Sequence, residues 1–565
     1  MDYQKLADLL FPDVEHTPEY YEEKFPYRKL PNGAEVTRMA PSPTGFIHLG
    51  NLYSALADER IAHRKGGVFY LRIEDTDEKR KVDGAVDIII NVLRYFDIEF
   101  DEGAGFDDSD PRNAYGPYFQ RQRVEIYHTF AKSLVQRGLA YPCFATEEEL
   151  DEIRKKQEAN NELTGYYGKY AISRDLSYET IEENIKAGKP YVLRLRSQGS
   201  PDKEITFVDS IKGEIKLPEN IHDIVLLKKD GIPTYHFAHA IDDHFMRTTT
   251  VIRGGEWLSS VPTHYELFHV LGFKMPKYAH TAHLMKFDET TGGKRKLSKR
   301  KDPELSLDYY RKDGYHPYTM KVYLLTLLNS NFEEWHDKYP DKDINEFPFS
   351  VEKMSVSGAL FDKDKLHNIC KNEFSKLSEE EVYDFLSKWA EVNEPEKAKV
   401  WFADKEKMLS ILRLYMGVGA KRRRKDLMYA RQILNLFDYF FGIDAVTEAF
   451  IEGGEVDMNG KEKDEFRLPE DEISKILSAY LTKYDHNDDN SAWFNKLKEI
   501  ANELGYASDM KAYKANPENF KGSVSDIAEA VRIAVTGRAN TPDLWTIVHI
   551  MGEDTMREKI QQFVK

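Results

Sequence analysis

Apolar residues at the start of the chain fall on a helical beat. Leu6, Leu9, Leu10 and Phe11 share one face of a short amphipathic helix, which Pro26, Pro31 and Gly33 then break. Residues 1–33 therefore read as an appendage. From residue 34 the pattern changes. EVTRMA (35–40) reads as a strand, PSPTG (41–45) as a tight loop, LGNLYSALADERIAHRKGG (49–67) as a helix closed by paired glycines, and VFYLRI (68–73) as a second strand. That order predicts a βαβ unit. A similar passage returns with TTTVIR (248–253) as strand, GGE as turn and WLSSVPTHYELFHVLGF (257–273) as helix. Between the two, RQRVEIYHTFAKSLVQRG and TEEELDEIRKKQE predict helices and YVLRLR a strand. The simplest architecture is α/β: one parallel sheet split by an inserted domain. After about residue 302 the period stays helical, through TMKVYLLTLLN, EEEVYDFLSKWAEV, KEKMLSILRLYMGV, MYARQILNLFDYFFG, ISKILSAYL and VSDIAEAVRIAV.

Composition narrows the class. With 565 residues the chain exceeds a single core several-fold, so several domains are expected. Charged residues make up 31% and no apolar run reaches the length of a membrane-spanning helix, which predicts a cytoplasmic protein without a membrane partner. The first residues lack the layout of a signal peptide. The formal charge of −17 argues against a generally basic nucleic-acid coat but leaves room for a local track. One such track exists: Lys421, Arg422, Arg423, Arg424 and Lys425 stand in a row. Alone, it is read equally well as a solvated helix surface. Two cysteines, Cys143 and Cys370, are too few for a disulfide framework or a cysteine-rich zinc site.

Two segments carry the chemistry. In APSPTGFIHLGN (40–51), prolines and Gly45 turn the chain, and His48 and Gly50 arrive where a helix begins after a parallel strand. Such a start offers unpaired N–H groups and a positive dipole end to phosphate. In GGKRKLSKRKD (292–302), Lys296 and Lys299 belong to a cationic cluster flanked by glycines. A lysine-rich loop is most often merely solvated. Paired with a phosphate-ready helix start in the same sheet, it reads as a loop closing over triphosphate and stabilising the charge of departing pyrophosphate.

Together these segments resemble the two signature motifs of class I aminoacyl-tRNA synthetases, HLGN standing at the first and KLSKR at the second. RMAPSPTGFIHLGN, LRIEDTDEKR, GPYFQRQR, YHFAHAIDDHFM and VIRGGEWLSS narrow the likeness to glutamyl-tRNA synthetases of the bacterial type. The resemblance is strong over 34–375 and fainter to the end. It implies a class I Rossmann-like catalytic domain (34–116 and 223–290), an inserted α+β domain for the acceptor stem (117–222), the KLSKR loop with a stem-contact helical domain (291–375), and a helical anticodon-binding region (376–565).

The family pattern also implies residue roles. Arg38 and Arg253, with Tyr235, would bind the side-chain carboxylate of L-glutamate, Ser42 its backbone part, and Glu74 its α-ammonium. His48, Gly50, Lys296 and Lys299 would hold ATP, and Lys421–Lys425 the tRNA. His239 stands where an Asn is expected, and Ala145 where zinc-containing relatives have a second Cys beside Cys143, so no zinc is expected. The implied reaction uses ATP with Mg2+ to make glutamyl-adenylate and transfers it to tRNA(Glu), by a monomer. Rivals are glutaminyl-tRNA synthetase, whose tail is typically of β-barrels, and a silent tRNA-binding protein on the same scaffold.

Overall fold

The computed structural model describes residues 1–44, 46–77, 82–107, 109–288, 290–298, 301–356, 358–442 and 465–565. It forms two compact units, Met1–Asp308 with Lys321–Asp362, and Tyr309–Met320 with Lys363–Lys565.

The first unit opens with two helices, α1 (Tyr3–Leu10) and α2 (Pro18–Lys24). Next come β1 (Val36–Met39), α3 (Leu49–His63), β2 (Val68–Leu71), α4 (Ala85–Tyr95) and β3 (Glu102–Gly103). The chain continues through α5 (Val124–Gln136), β4 (Ala140–Cys143), α6 (Glu147–Ala159), α7 (Tyr178–Lys186), β5 (Val192–Leu195), β6 (Glu204–Asp209), β7 (Gly213–Pro218) and β8 (Val225–Leu227). Then follow α8 (Tyr235–Phe245), β9 (Thr250–Gly254), α9 (Val261–Leu271), β10 (Lys277–Thr281) and the hairpin β11 (Leu284–Asp288) and β12 (Gly293–Lys296).

β1, β2 and β3 pair in parallel, as do β9 and β10, and β10 pairs with β6. The two half-sheets meet where the Thr249 N–H donates to the Val36 carbonyl at 2.9 Å and the Val36 N–H to the Thr249 hydroxyl at 2.8 Å. β1 and β9 thus flank the switch point of an open parallel sheet, the crevice where such sheets bind ligands. Both strands are buried along almost their whole length, as expected of a parallel sheet covered on both faces. The helix expected from Trp257 starts later. Gly255–Ser260 form a 3-10 turn, and α9 begins at Val261 with Pro262 in its first turn, the position proline favours.

Strand β6 lies within the expected insertion yet pairs with β10, while β4, β5 and β8 form a separate antiparallel sheet. At the end of β4 in that sheet, Cys143 is buried beside Ile153 and Ala171, and its thiol donates to the Tyr166 hydroxyl at 3.3 Å. The same hydroxyl accepts the Ser173 N–H at 2.9 Å. An apolar cluster with a hydrogen-bonded centre therefore ties this segment together.

The first 33 residues are less of an appendage than their pattern predicts. Leu6, Ala7 and Leu10 of α1 are buried, with Ile126, Phe130 and Leu134 of α5 in one core cluster, which also includes Tyr21 and Phe25 together with Phe245 of α8. Arg247 donates to the Phe25 carbonyl at 2.9 Å and to Glu22 at 2.8 Å, and Arg28 donates to the Met246 carbonyl at 3.1 Å. The segment clamps the C-terminal end of α8.

The second unit is helical around one apolar core, which includes Trp401, Ile411, Leu412, Ile476, Leu497, Val531 and Ile547. The helix expected over 428–442 is confined to Ala430–Leu436. Phe437 leaves the helical region and Asp438–Phe440 tighten into a 3-10 turn as Phe437, Tyr439 and Phe440 are drawn into the core. The basic run 421–425 lies in an exposed loop after Lys405–Met416, not on a helix. Among the described residues no helix is long and apolar enough to cross a membrane.

The Cys143 arrangement generates one expectation. Elemental analysis of the purified protein should return no stoichiometric zinc, and about one zinc per chain would contradict it.

Candidate active site

Beyond the C-terminal ends of β1 and β9 lies a cavity of about 410 Å³. Arg38, Ser42, His48, Gly50, Glu74, Tyr235, Arg253 and Lys296 all line it. Lys299 lies outside the described residues. Lys421–Lys425 belong to the second unit and are not part of this cavity.

The phosphate-ready end is built by a helix cap. His48 is the N-cap of α3: its Nδ1 accepts the Asn51 N–H at 3.2 Å, and the Asn51 side chain accepts the His48 N–H at 2.9 Å. With Nδ1 occupied as an acceptor, the neutral ring carries its proton on Nε2, a donor on a residue that faces the cavity. Burial pushes the His48 pKa down, which keeps the ring neutral. Gly50 has a steric reason: a Cβ there would meet the His48 ring at 3.0 Å and 3.1 Å. On the opposite side β12 delivers Lys296, exposed, its ammonium without a hydrogen bond or ion pair among the described residues. Its neighbour Arg295 is committed, donating to both Asp302 oxygens at 2.6 Å. The hairpin that presents this segment was not legible as strands, because GGKRKLSKRKD lacks alternation.

The other end of the cavity concentrates buried charge. Arg38 is 5% exposed and among the described residues has only a loose ion pair, its Nε 3.5 Å from Asp243, with that nitrogen left without a hydrogen bond. Arg72 takes the tighter share of Asp243, at 2.7 Å, and donates to Glu74 at 3.2 Å. Burial raises the Glu74 pKa, with Arg72 and Arg38 opposing the shift. Asp58, also on the wall, is pushed well up by burial. Tyr235 begins α8, packs on Trp257 at 4.5 Å between ring centroids, and has its hydroxyl pushed up to about 12 by burial.

Arg253 ends β9 among acceptors that carry no charge. Its Nε donates to His280 Nε2 at 2.9 Å, Nη1 to His264 Nδ1 at 3.1 Å, and Nη2 to the Trp257 carbonyl at 3.3 Å. Among the described residues no carboxylate lies within ion-pair distance of it. His239 is fully buried behind the cavity wall, its Nε2 2.7 Å from the Tyr278 hydroxyl and its Nδ1 3.1 Å from Asp243. Burial, reinforced by Arg253 and Arg38, pushes its pKa well down. His239 therefore faces Asp243 and Tyr278, not the cavity.

Two under-neutralised guanidiniums, a carboxylate and a helix start in one cavity suit a small zwitterion with an extra carboxylate beside a phosphate ester. Sequence reasoning missed Asp242, Asp243, His264 and His280. The adjacent acids carried a signal, since Asp242 falls on the apolar face of α8 with Ala238 and Phe245, and a carboxylate there demands a partner.

Comparison with known proteins agrees with this geometry. A family profile described as the catalytic domain of class I tRNA synthetases (E and Q) matches residues 35–368, and an anticodon binding domain profile matches 396–564. The chain is 52% identical to a glutamate--tRNA ligase of Acetivibrio thermocellus and 48% identical to one of Clostridium perfringens strain SM101, with 100% of each chain covered in both comparisons. A crystal structure of a glutamate tRNA ligase from Elizabethkingia meningosepticum, in complex with its amino acid, is 26% identical with a TM-score of 0.70, covering 94% of this chain and 99% of that one.

The tight approach at Gly50 supplies a test. Gly50→Ala should displace the His48 ring and lower kcat/KM for the phosphate-bearing substrate about 10- to 100-fold, leaving the thermal transition within a few degrees. Unchanged kcat/KM would remove the His48 cap from the site's function.

Proposed function

The chain belongs to the class I tRNA synthetases of the glutamate and glutamine group, and we propose how its cavity joins L-glutamate to the 3′ end of tRNA(Glu) at the expense of ATP. The activity is that of a glutamate--tRNA ligase. In the first step an α-carboxylate oxygen of glutamate attacks the α-phosphorus of ATP, and pyrophosphate leaves. In the second, a hydroxyl of the terminal tRNA ribose attacks the activated carbonyl, and AMP leaves. The work is positioning and charge stabilisation.

Arg38 and Arg253 hold the side-chain carboxylate with the Tyr235 hydroxyl, Ser42 positions the backbone part, and Glu74 takes the α-ammonium. That ammonium adds to the counter-charge that Arg72 already gives the buried Glu74. The His48 Nε2–H and the start of α3 at Gly50 receive phosphate oxygens, and Lys296 and Lys299 meet the charge of departing pyrophosphate. Magnesium bound with the triphosphate would supply further charge stabilisation beside His48 and Lys296. The molecule acts as a cytoplasmic monomer.

The single observation that carries the glutamate reading is Arg253. It is 7% exposed, donates only to neutral acceptors and keeps one N–H on each terminal nitrogen uncommitted among the described residues. A carboxylate accepts both. The glutamine amide would turn N–H against N–H. Glutamate-dependent ATP–pyrophosphate exchange in the presence of tRNA tests the function; exchange that prefers glutamine, or none with either, would overturn it.

Arg253→Gln should lower kcat/KM for glutamate about 10²–10⁴-fold and narrow the gap to glutamine, with little change in melting temperature. An equal loss for both amino acids with a lowered melting temperature would make Arg253 a brace.

In the second unit, Lys421, Arg422 and Arg423 are exposed without ion pairs among the described residues, while Arg424 pairs with Asp426 at 2.7 Å and Lys425 donates to Asn372 at 2.7 Å. The run tracks the tRNA backbone. Replacing the first three by Ala should weaken tRNA binding and reduce its salt slope by about one for each phosphate left without its cation. An unchanged slope would return the run to solvent.

A further inference from the structure

Arg253 is surrounded by more histidine than its own bonding requires. His264 Nε2 lies 2.9 Å from His236 Nδ1, and His280 Nδ1 lies 2.6 Å from the Asp209 carboxylate. The residues come from α8, α9, β9, β10 and β6, so the chain crosses the sheet rather than following one element.

Donor and acceptor logic fixes every ring in this chain. A guanidinium only donates. His264 must therefore accept at Nδ1 and carry its proton on Nε2, which points at His236 Nδ1. His280 must accept at Nε2 and carry its proton on Nδ1, which points at Asp209. Asp209 can take it because it is an acceptor only, and its other oxygen already receives the Ile211 and Lys212 N–H groups, both at 2.9 Å. Burial, with Arg253 adding to it, pushes the pKa of His236 down to about 4; that of His264 is driven well down by burial, His239 and Arg253. All of these bonds are satisfied without a formal negative charge touching Arg253.

The contrast is with Arg72, a buried arginine in the same unit. It meets Asp243 at 2.7 Å and Glu74 at 3.2 Å, and its charge is spent inside the protein. Arg253 is held as firmly, by three bonds, but its charge is not spent.

We propose that His264 and His280, the latter oriented by Asp209, are positioning residues for amino-acid selectivity: they aim the Arg253 guanidinium into the cavity as neutral acceptors, leaving its full charge for the substrate's side-chain carboxylate. This rests on the reading of Arg253 given above. A carboxylate in either position would aim the guanidinium equally well and neutralise it. Discrimination against the uncharged amide would then fall, because an already paired arginine gains little from a second anion.

An isosteric pair separates aiming from charge. His264→Asn keeps an acceptor oxygen near the Nδ1 position, and His264→Asp keeps the same oxygen with a negative charge. Both lose the bond to His236 alike. Glutamate KM, ATP KM and kcat, measured by tRNA-dependent pyrophosphate exchange on the full chain, should show His264→Asn within about threefold of the wild type. His264→Asp should raise glutamate KM about 100-fold, leave ATP KM within about threefold, and move the glutamate-to-glutamine preference toward unity. Equal glutamate KM values for the two variants would overturn the proposal.

Asp209→Asn supplies a second variant should a buried aspartate at 264 prevent folding. It turns an amide donor toward His280 Nδ1, reverses the tautomer and sets N–H against N–H at Arg253. Glutamate KM should rise at least about tenfold with ATP KM unchanged, whereas an unchanged glutamate KM would also overturn the proposal. Arg253→Gln is the control for the underlying reading. If it leaves glutamate KM unaltered, Arg253 does not bind the substrate and the whole reading fails. If it raises KM while the 264 pair stays equal, only the role of the neutral acceptors fails.

Discussion

The unit that holds the cavity depends on two adjacent carboxylates buried inside it. Asp242 and Asp243 are 0% and 1% exposed on α8, and between them they organise three arginines from other parts of the chain. Asp242 accepts from Arg123 at 2.6 Å, from the Tyr127 hydroxyl at 2.8 Å and from Gln120 at 2.9 Å. Asp243 takes Arg72 closely and Arg38 loosely. Removing one partner of such a buried pair typically costs about 3–5 kcal/mol, because the other charge is then stranded. This network therefore locks the ends of β1 and β2 and the helices α5 and α8 to one another. It also decides how much charge each arginine retains.

That division explains why similar side chains do different work. Arg72 and Arg123 make close contacts with Asp243 and Asp242, at 2.7 Å and 2.6 Å, and hold the fold. Arg38, at the edge of the network, has the weaker share of Asp243 and faces the cavity. Arg253 lies outside it altogether, among imidazoles. The two arginines that line the cavity, Arg38 and Arg253, are thus the ones the acidic pair holds loosely or not at all. Such loosely paired cations keep a positive field in the cavity that attracts an anionic ligand.

Much of this was legible along the chain, and the omissions share a cause. The strands EVTRMA, VFYLRI and TTTVIR, the helix after HLGN, and the strand-end positions of Arg38 and Arg253 follow from period and local turn chemistry, which act within a few residues. What escaped depends on residues far apart. His236, His264 and His280 are spaced 28 and 16 positions apart on three elements, and nothing local says that two of them meet one guanidinium. The first 33 residues gave the same difficulty, because the partner of Glu22 and Phe25 is Arg247. The 3-10 turns at Gly255–Ser260 and Asp438–Phe440 override helical period where proline or core aromatics dictate the local path.

The seam between Val36 and Thr249 has a consequence for biosynthesis. It joins positions 213 apart in the chain, and β10 beside it ends only at Thr281. At about 5–20 residues per second, a ribosome needs roughly a quarter-minute to a minute to deliver that strand after starting. Through that interval β1 waits with one edge unpaired, and α1 and α2 wait for the helix end they clamp. Closing so large a loop adds little to the equilibrium cost, since closure entropy grows only with the logarithm of length, but it delays the reward. Until the later strand arrives, the unpaired edge of β1 is an open template for pairing, which the finished seam closes.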